Sequence, residues 1–283
     1  ENDNRNKTTV LLIAPETGRL PDAMGPLARF ISGKSGGLGE VISALCEGLA
    51  ERNIECHLAT LNLSRRFQRE SGLDDDQWSR ITNTIDPHRI HLVNSSLFEN
   101  SPDAYSGNPV LNAAEFQKIV VNQIIPQIRA KSNGRLIIHS HDWMAGGIIT
   151  AYAKAHGCPV LHTLHNVHTA HLFLDLLRGV NMERLSDCFY CSQEQGKPAI
   201  DCQATAIKNA SIVNFVGAKF LREIVDGQFA DRPIIPPSVR HEVRIKYEYG
   251  ATRAIPNAPS WQMYPEHSNY LARRFSPEDD VIA

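Results

Sequence analysis

Short, continuously apolar runs alternate with amphipathic stretches along most of the chain. Residues 9–14 form a continuously apolar, β-branched run, a pattern typical of a strand buried on both faces of a parallel sheet. Residues 55–61 fit a second strand. Between them, apolar residues from position 38 to position 49 recur every three or four residues, which predicts a helix. Strand, loop, helix and strand in this order are the opening unit of a Rossmann-like fold.

The alternation continues to about residue 226, so we predict an α/β fold: a Rossmann-like, mostly parallel sheet with helices on both faces. Further strands are predicted at residues 89–93, 136–140, 158–164 and 211–216, and further helices at residues 111–128, 143–155, 172–177, 200–209 and 218–226. The pattern indicates an irregular insertion up to residue 196 and, where prolines become frequent after residue 231, a linker or an edge segment.

Ligands in open α/β sheets bind outside the carboxyl ends of the strands. After the first predicted strand come Glu16 and then Gly-Lys-Ser-Gly-Gly-Leu-Gly-Glu-Val at residues 33–41. Glycines at a helix N-terminus let bare amides approach an anion, and Lys34 adds a mobile charge. The segment therefore predicts a cradle for a diphosphate or sugar phosphate, although Gly-Gly before a helix also serves in ordinary tight turns.

Two other strand ends carry polar side chains suited to a site. His-Ser-His-Asp-Trp at residues 139–143 ends one strand, and His-Thr-Leu-His-Asn at residues 162–166 ends the next. We expect His141 and Asp142 to project into the cleft, where a histidine can bind hydroxyls near neutral pH. Asp142 has a second interpretation as a plain helix cap.

Composition narrows the range of partners. The chain has 283 residues, a net charge of -2 and no long basic run, so nothing indicates a nucleic-acid partner. No apolar stretch approaches the length needed to span a membrane. The six scattered cysteines, with no secretory segment before them, favour a reducing cytoplasmic location.

Histidines and cysteines leave a metal site open as an alternative. Histidine recurs every third residue from His162 to His171, and Cys188, Cys191 and Cys202 follow, which are residue types that bind zinc. Against this, residues three apart do not share one face of a strand, and the Cys-x-x-Cys motif lacks a second pair. We predict no metal and no cofactor.

Several of these segments resemble bacterial glycogen synthases and plant starch synthases, and do so in family order over most of residues 8–230. The glycine segment resembles their Lys-Thr-Gly-Gly-Leu-(Ala/Gly)-Asp-Val, and residues 139–146 resemble their His-Ala-His-Asp-Trp-His-Ala-Gly. Residues 163–166 resemble Thr-(Ile/Val)-His-Asn, residues 105–108 resemble Tyr-x-Asp-Asn, and residues 211–229 resemble a later family segment.

The resemblance implies the N-terminal, acceptor-side half of a two-domain GT-B glycosyltransferase of glycogen biosynthesis. Such enzymes transfer glucose from ADP-glucose or UDP-glucose to the non-reducing end of an α-1,4-glucan, with retention and without a metal. Residues 1–255 would form this domain, and residues 256–283 would link it to a C-terminal donor-binding domain missing from this chain. The isolated domain is then expected to be inactive.

The resemblance also implies roles for individual residues. Lys34 would hold donor phosphates, and His141 would contact the donor glucose near the reacting centre with Asp142 beside it. The remaining implied substrate-binding positions are Glu16, Gly36, Gly37, Glu40, Tyr105, His165 and Asn166.

Departures from the family pattern keep two further interpretations open. Gly107 replaces an acidic residue, Met144 replaces a histidine, and residues 168–171 replace a Tyr-Gln-Gly segment. A non-catalytic, glucan-binding or regulatory relative of the same fold is therefore the main alternative. A nicotinamide dehydrogenase is a weaker one, because the Gly-x-Gly-x-x-Gly turn is missing and Leu61-Asn62 stands where an acidic residue is needed.

Overall fold

The computed structural model describes residues 8–132, 134–227 and 234–255. Within these ranges the strands are β1 (Thr8–Ile13), β2 (Glu55–Leu61), β3 (Ile90–Val93), β4 (Arg135–His141), β5 (Val160–Leu164), β6 (His171–Phe173), β7 (Cys191–Glu194), β8 (Lys197–Asp201), β9 (Ile212–Val216) and β10 (Thr252–Ile255). The α-helices are α1 (Gly37–Glu51), α2 (Ser64–Ser71), α3 (Asp75–Thr84), α4 (Pro109–Ile119), α5 (Ile125–Lys131), α6 (Gly147–Ala155), α7 (Cys202–Asn209), α8 (Ala218–Asp226) and α9 (Pro237–Glu248). A π-helical turn (Val120–Ile124) joins α4 to α5.

The main sheet has the strand order β3-β2-β1-β4-β5-β9-β10, and every neighbouring pair is parallel. The chain moves outward from β1 through β2 to β3, then returns to place β4 on the other side of β1. This reversal is the topological switch point, where the loops after β1 and β4 separate and leave a crevice. The predicted Rossmann-like α/β class is confirmed.

Burial explains why the central strands are apolar throughout. Leu11, Leu12 and Ile13 of β1 are fully buried because helices cover both faces of the sheet. From α1, Ile42 and Cys46 pack into the same core. Each large apolar side chain removed from water in this way contributes about 1.5–3 kcal/mol, so the strand ends are held on a rigid base.

The predicted helix at residues 172–177 is wrong in its first half. Residues 171–173 form β6, the edge of a small antiparallel sheet with the order β6-β8-β7. A 3₁₀ turn (Leu174–Leu177) follows. The predicted irregular insertion therefore holds a compact sheet, whose short strands gave too little alternation to be identified.

The segment after residue 231 is also more regular than predicted. Pro236 precedes α9 and Pro237 occupies its first turn, where the missing amide hydrogen costs nothing. The chain then pairs β10 with β9 at the edge of the main sheet. Residues 256–283 lie outside the described residues, so the proposed linker stays a prediction.

Two further properties concern the cysteines and the helices. All six cysteines are free thiols. Of the helices in the described ranges, none is both long and apolar enough to cross a membrane.

Candidate functional site

A cavity of about 600 Å³ opens at the switch point between β1 and β4, within the size range of small-molecule sites. Its walls come from the loop after β1, the start of α1, the ends of β4 and β5, and the loop before α4. The described lining residues are Glu16, Ser35, Gly36, Gly37, Leu38, Val41, Tyr105, Asp142, Trp143, His165, Asn166, His168, Thr169 and Val216. Glu16, Gly36, Gly37, Tyr105, Asp142, His165 and Asn166 were all predicted from the sequence as site residues.

The glycine turn forms one wall. Gly36 is the N-cap of α1, and the carboxylate of Glu16 accepts a hydrogen bond from the amide of Ser35. A Cβ on Gly36 would lie 3.7 Å from Glu16 Oε1, and one on Gly37 would meet nothing within 4 Å. The turn itself is therefore open to a ligand.

Close backbone packing is required instead at Gly39. A Cβ there would lie 3.1 Å from the amide nitrogen of Gly18 and 3.2 Å from the Lys34 Cβ. The amide of Gly18 also donates to the Gly39 carbonyl at 2.9 Å. Gly39 thus lets α1 approach the loop after β1 closely enough to form the cavity wall.

Lys34 stands beside the cavity but is not among its described lining residues. Its side chain is 43% exposed, and its ammonium is paired with the carboxylate of Glu40. Glu40 likewise lies outside the lining. An anion arriving at the glycine turn would have to compete with Glu40 for this charge.

Asp142 is held in a strained backbone conformation. Its φ of 53° and ψ of -177° fall in a region that side chains rarely adopt. Its carboxylate accepts from the His165 amide at 2.8 Å and from Asn166 Nδ2 at 2.9 Å, while its own amide donates to the Thr163 carbonyl at 3.1 Å. The helix-cap interpretation is wrong, because the side chain makes no capping hydrogen bond to the 3₁₀ turn (Trp143–Ala145) that follows. The bonds to the β5 end compensate the strain and fix the carboxyl at the cavity floor.

The environment of Asp142 favours its neutral form. Burial raises the pKa of this carboxyl to about 7, the negative charge of Glu16 adds to the rise, and hydrogen bonds from His165 and Asn166 oppose it. The cavity thus places two carboxyl groups together, and one of them gains a proton near neutral pH.

His141 does not project into the cavity, and this part of the prediction is wrong. The residue is fully buried, and its Nδ1 lies 3.1 Å from Nε2 of His165, which stands between it and the cavity. Its Nε2 is buried with no hydrogen-bond partner among the described residues. As the last residue of β4, His141 points to the face of the sheet that its neighbour His139 occupies, with ring centroids 4.2 Å apart.

A cluster of four neutral imidazoles lies in and next to the ends of β4 and β5, with His162 on the opposite face of the sheet from His139 and His141. Burial lowers the pKa of His139 and His162 to about 3, that of His165 to about 4, and that of His141 well below its ordinary value. Hydrogen bonds of 2.8 Å join His139 to Thr163 and His162 to Ser140. Only the His165 imidazole of this cluster reaches the cavity, and it does so uncharged.

Tyr105 and Trp143 provide the aromatic surface of the cavity. Burial raises the pKa of the Tyr105 phenol well above its ordinary value, and the charges of Glu16 and Asp142 add to the rise. The phenol is therefore a hydrogen-bond donor at any physiological pH. Trp143 also packs against the hydrophobic core.

Thr169 and Gln203 belong to the site but were not predicted. Thr169 lines the cavity. Its hydroxyl donates to the Asp201 carboxylate at 2.6 Å and accepts from the backbone amide of Gln203 at 3.0 Å. The Gln203 side chain donates to the Asn166 carbonyl at 3.3 Å. Thr169 lies in the loop before β6 and Gln203 lies in α7, and no motif in the sequence connects them to the strand ends.

The histidine run does not converge on a metal site in the described part of the chain. Among residues 8–132, 134–227 and 234–255, no group of three or more His, Cys, Asp or Glu side chains could hold a metal ion. His162 is buried within β5, whereas His171 lies on β6 with Nε2 3.6 Å from Asp201. Cys191 is exposed and Cys202 is buried.

Comparisons with known proteins agree with this architecture. The family model described as "Starch synthase catalytic domain" matches residues 24–232. Among solved structures, the catalytic domain of starch synthase IV from Arabidopsis thaliana, bound to ADP and acarbose, is similar with a TM-score of 0.61 and 13% identity. The match covers 92% of this chain and 53% of that one, so the chain spans about half its length. A comparison with curated protein sequences gave no match.

Proposed function

The chain belongs to the family of starch synthase catalytic domains, and on that premise we propose that it is the N-terminal, acceptor-side domain of a retaining glucosyltransferase. In this proposal the protein transfers glucose from ADP-glucose, or alternatively UDP-glucose, to the non-reducing end of an α-1,4-glucan. The observation that carries it is the convergence of the glycine turn, Asp142 and His165 on one cavity at the switch point.

The cavity chemistry suits the hydroxyl groups of a glucan. Its described lining holds no lysine or arginine, whereas Glu16 and Asp142 offer carboxyl oxygens and His165 a neutral imidazole. Sugar hydroxyls can both donate to the carboxyl oxygens and accept from the Tyr105 phenol. Trp143 adds an aromatic wall for the apolar face of a sugar ring.

The donor would bind at the edge formed by the glycine turn. The similar starch synthase structure contains ADP, and a diphosphate fits the turn where Gly36 and Gly37 leave open space at the start of α1. Lys34 would exchange Glu40 for a phosphate oxygen. Because this chain covers 53% of the similar structure, we place the remaining donor contacts in a C-terminal Rossmann-like domain beyond the proposed linker at residues 256–283.

Within the proposed reaction, His165 and Asp142 act at the cavity surface and His141 acts through them. The ring of His141 fixes the ring of His165, and Asp142 holds the His165 amide and the Asn166 side chain. Fixed dipoles placed in this way stabilise charge that develops on the sugar and on the leaving diphosphate without reorganising. His141 is accordingly a positioning residue rather than a direct contact.

The proposal is tested on protein that carries this chain together with its C-terminal domain. Labelled ADP-glucose and glycogen should yield label in the polymer and equimolar ADP. UDP-glucose in a parallel reaction identifies the preferred donor. The absence of transfer from either donor, in folded protein that contains both domains, would contradict the assignment.

The burial of His141 favours one alternative, a non-catalytic relative that binds glucan. The His141 ring is fully buried and contacts His165, and it is not among the described residues that line the cavity. Under the alternative, the two-domain protein retains glycogen binding in a sedimentation assay but releases no ADP from ADP-glucose. A cytoplasmic location remains part of the proposal in either case and is tested by cell fractionation.

A further inference from the structure

Arg66 on α2 joins two loops that both contribute residues to the cavity wall. Its Nη1 donates to Ser35 Oγ at 3.2 Å and to the Pro102 carbonyl at 3.1 Å, and its Nη2 donates to the Lys34 carbonyl. Ser35 belongs to the glycine turn, and Tyr105, three residues after Pro102, lines the cavity. One guanidinium therefore contacts both loops at once.

The surroundings hold this guanidinium in place. Arg66 Nε donates to Glu70 at 2.7 Å, one helical turn further along α2, and the Arg66 side chain is only 14% exposed. Next to it, Phe67 is buried, and its ring leaves only 3.0 Å to a Cβ built on Gly33. Helix α2 is thus packed against the start of the glycine turn.

The loop from Pro102 to Ser106 connects the carbonyl that Arg66 contacts to the Tyr105 ring. The Asp103 carboxylate accepts from the Tyr105 amide at 2.8 Å and from the Ser106 hydroxyl at 2.9 Å, which makes the intervening turn compact. A shift at Pro102 would therefore move the Tyr105 ring. Two of the three loop acceptors of Arg66 are backbone carbonyls. The spacing of the two loops therefore depends on the planar, multi-donor shape of the guanidinium and not only on its charge.

We propose that Arg66 is a positioning residue that sets the distance between the glycine turn and the Tyr105 loop before a ligand binds. The inference rests on the proposed function only for the identity of that ligand, an α-1,4-glucan. A lysine keeps the charge but lacks the planar fork, so charge alone would not preserve the arrangement.

The experiment compares R66K and R66Q with R69Q in the full 283-residue chain. Arg69 is an exposed residue on the same helix and serves as the matched charge control. Hydrogen exchange followed by mass spectrometry should show about tenfold faster exchange in both R66K and R66Q, at the glycine turn and at the Tyr105 loop together, as expected when hydrogen bonds that hold a segment are lost. R69Q should match the wild type, and all variants should keep wild-type exchange in β1 and β4.

Binding of maltoheptaose supplies the second measurement. Affinity should fall about tenfold in both R66K and R66Q, in line with the loss of preorganisation, and should be unchanged in R69Q. Unchanged exchange at either loop in R66Q, or wild-type behaviour of R66K in both measurements, would overturn the inference. Faster exchange at both loops in a chain that binds no maltoheptaose in any variant would support the role of Arg66 and contradict the proposed function instead.

Discussion

His165 separates His141 from the cavity, with its Nε2 3.1 Å from Nδ1 of His141 and its ring in the cavity wall. The two histidines therefore lie in different environments, although His141 ends β4 and His165 directly follows the neighbouring strand β5. His165 can contact a ligand, whereas His141 orients His165 from within the core. The predictions below depend on this arrangement.

Substitution should distinguish these two histidines. H165N should weaken maltoheptaose binding about tenfold or more with a change of about 1 kcal/mol or less in the free energy of unfolding, because the residue is at the surface of the cavity. H141A should destabilise the fold by about 2–4 kcal/mol, because it empties a fully buried position. Urea denaturation and calorimetric titration provide the two measurements. An H141A chain as stable as H165N would contradict the fully buried position of His141.

Strain at Asp142 leads to a comparison of two substitutions. D142N keeps the unfavourable φ of 53° but weakens two hydrogen bonds from the β5 end, and should cost about 1–3 kcal/mol. D142G loses the same bonds but relieves the strain, which is worth about 1–3 kcal/mol, so it should be the more stable of the two. Both should bind maltoheptaose weakly. If D142G proves the less stable variant in urea denaturation, the relief of backbone strain is smaller than the free energy of the lost hydrogen bonds.

The buried histidines predict loss of stability in acid. The unfolded chain binds protons on these imidazoles below pH 6.5, their ordinary pKa, whereas in the fold His139 and His162 stay neutral down to about 3 and His165 down to about 4. The free energy of unfolding should therefore fall as pH falls from 6.5 toward 4. Urea denaturation across this range gives the slope. H165N should reduce this slope by the equivalent of about one bound proton.

Asp142 should oppose this trend. Its pKa is about 7 in the fold and 3.8 in the unfolded chain, so the fold holds a proton that the unfolded state has released. The stability from this group is complete below pH 3.8 and is lost as pH rises through 7. D142N lacks this group, so the free energy of unfolding should depend more steeply on pH between pH 4 and 6.5, by the equivalent of about one bound proton. A shallower slope in D142N would contradict the raised pKa.

Two glycines of the same segment should respond oppositely to alanine. G39A should destabilise the fold by about 1–3 kcal/mol, because the added Cβ meets the backbone of Gly18 and the Lys34 Cβ at 3.1–3.2 Å. G37A should fold with near-normal stability, because its Cβ meets nothing within 4 Å, but should reduce ADP affinity in the two-domain protein. Thermal denaturation measures the first effect and calorimetric titration the second. Equal stability of G37A and G39A would contradict the packing described here.

The sequence predicted the sheet well where burial dictated composition. β1, β2, β4 and β5 are covered on both faces, so their apolar runs mark them clearly. Pro236 and Pro237 suggested a linker, but a proline at a helix start is favourable, and α9 begins there. The small sheet was missed because β6 has only three residues.

The site was predicted at the level of strand ends but not of individual side chains. Which side of a strand end faces the cavity depends on the pairing of β4 with β5, which placed His141 inward and left His165 exposed to the cavity. The contributions of Arg66, Thr169 and Gln203 depend on contacts between distant segments. Such contacts leave no local pattern in the sequence.

The central claim is that the cavity at the switch point binds an α-1,4-glucan. Titration of the isotope-labelled 283-residue chain with maltoheptaose, followed by amide chemical shifts, tests it most directly. We predict saturable shifts at Tyr105, Asp142, His165 and Asn166, with His57 and His91 at the opposite end of the sheet unaffected. Absence of saturable shifts, or shifts confined to residues outside the cavity, would contradict the account.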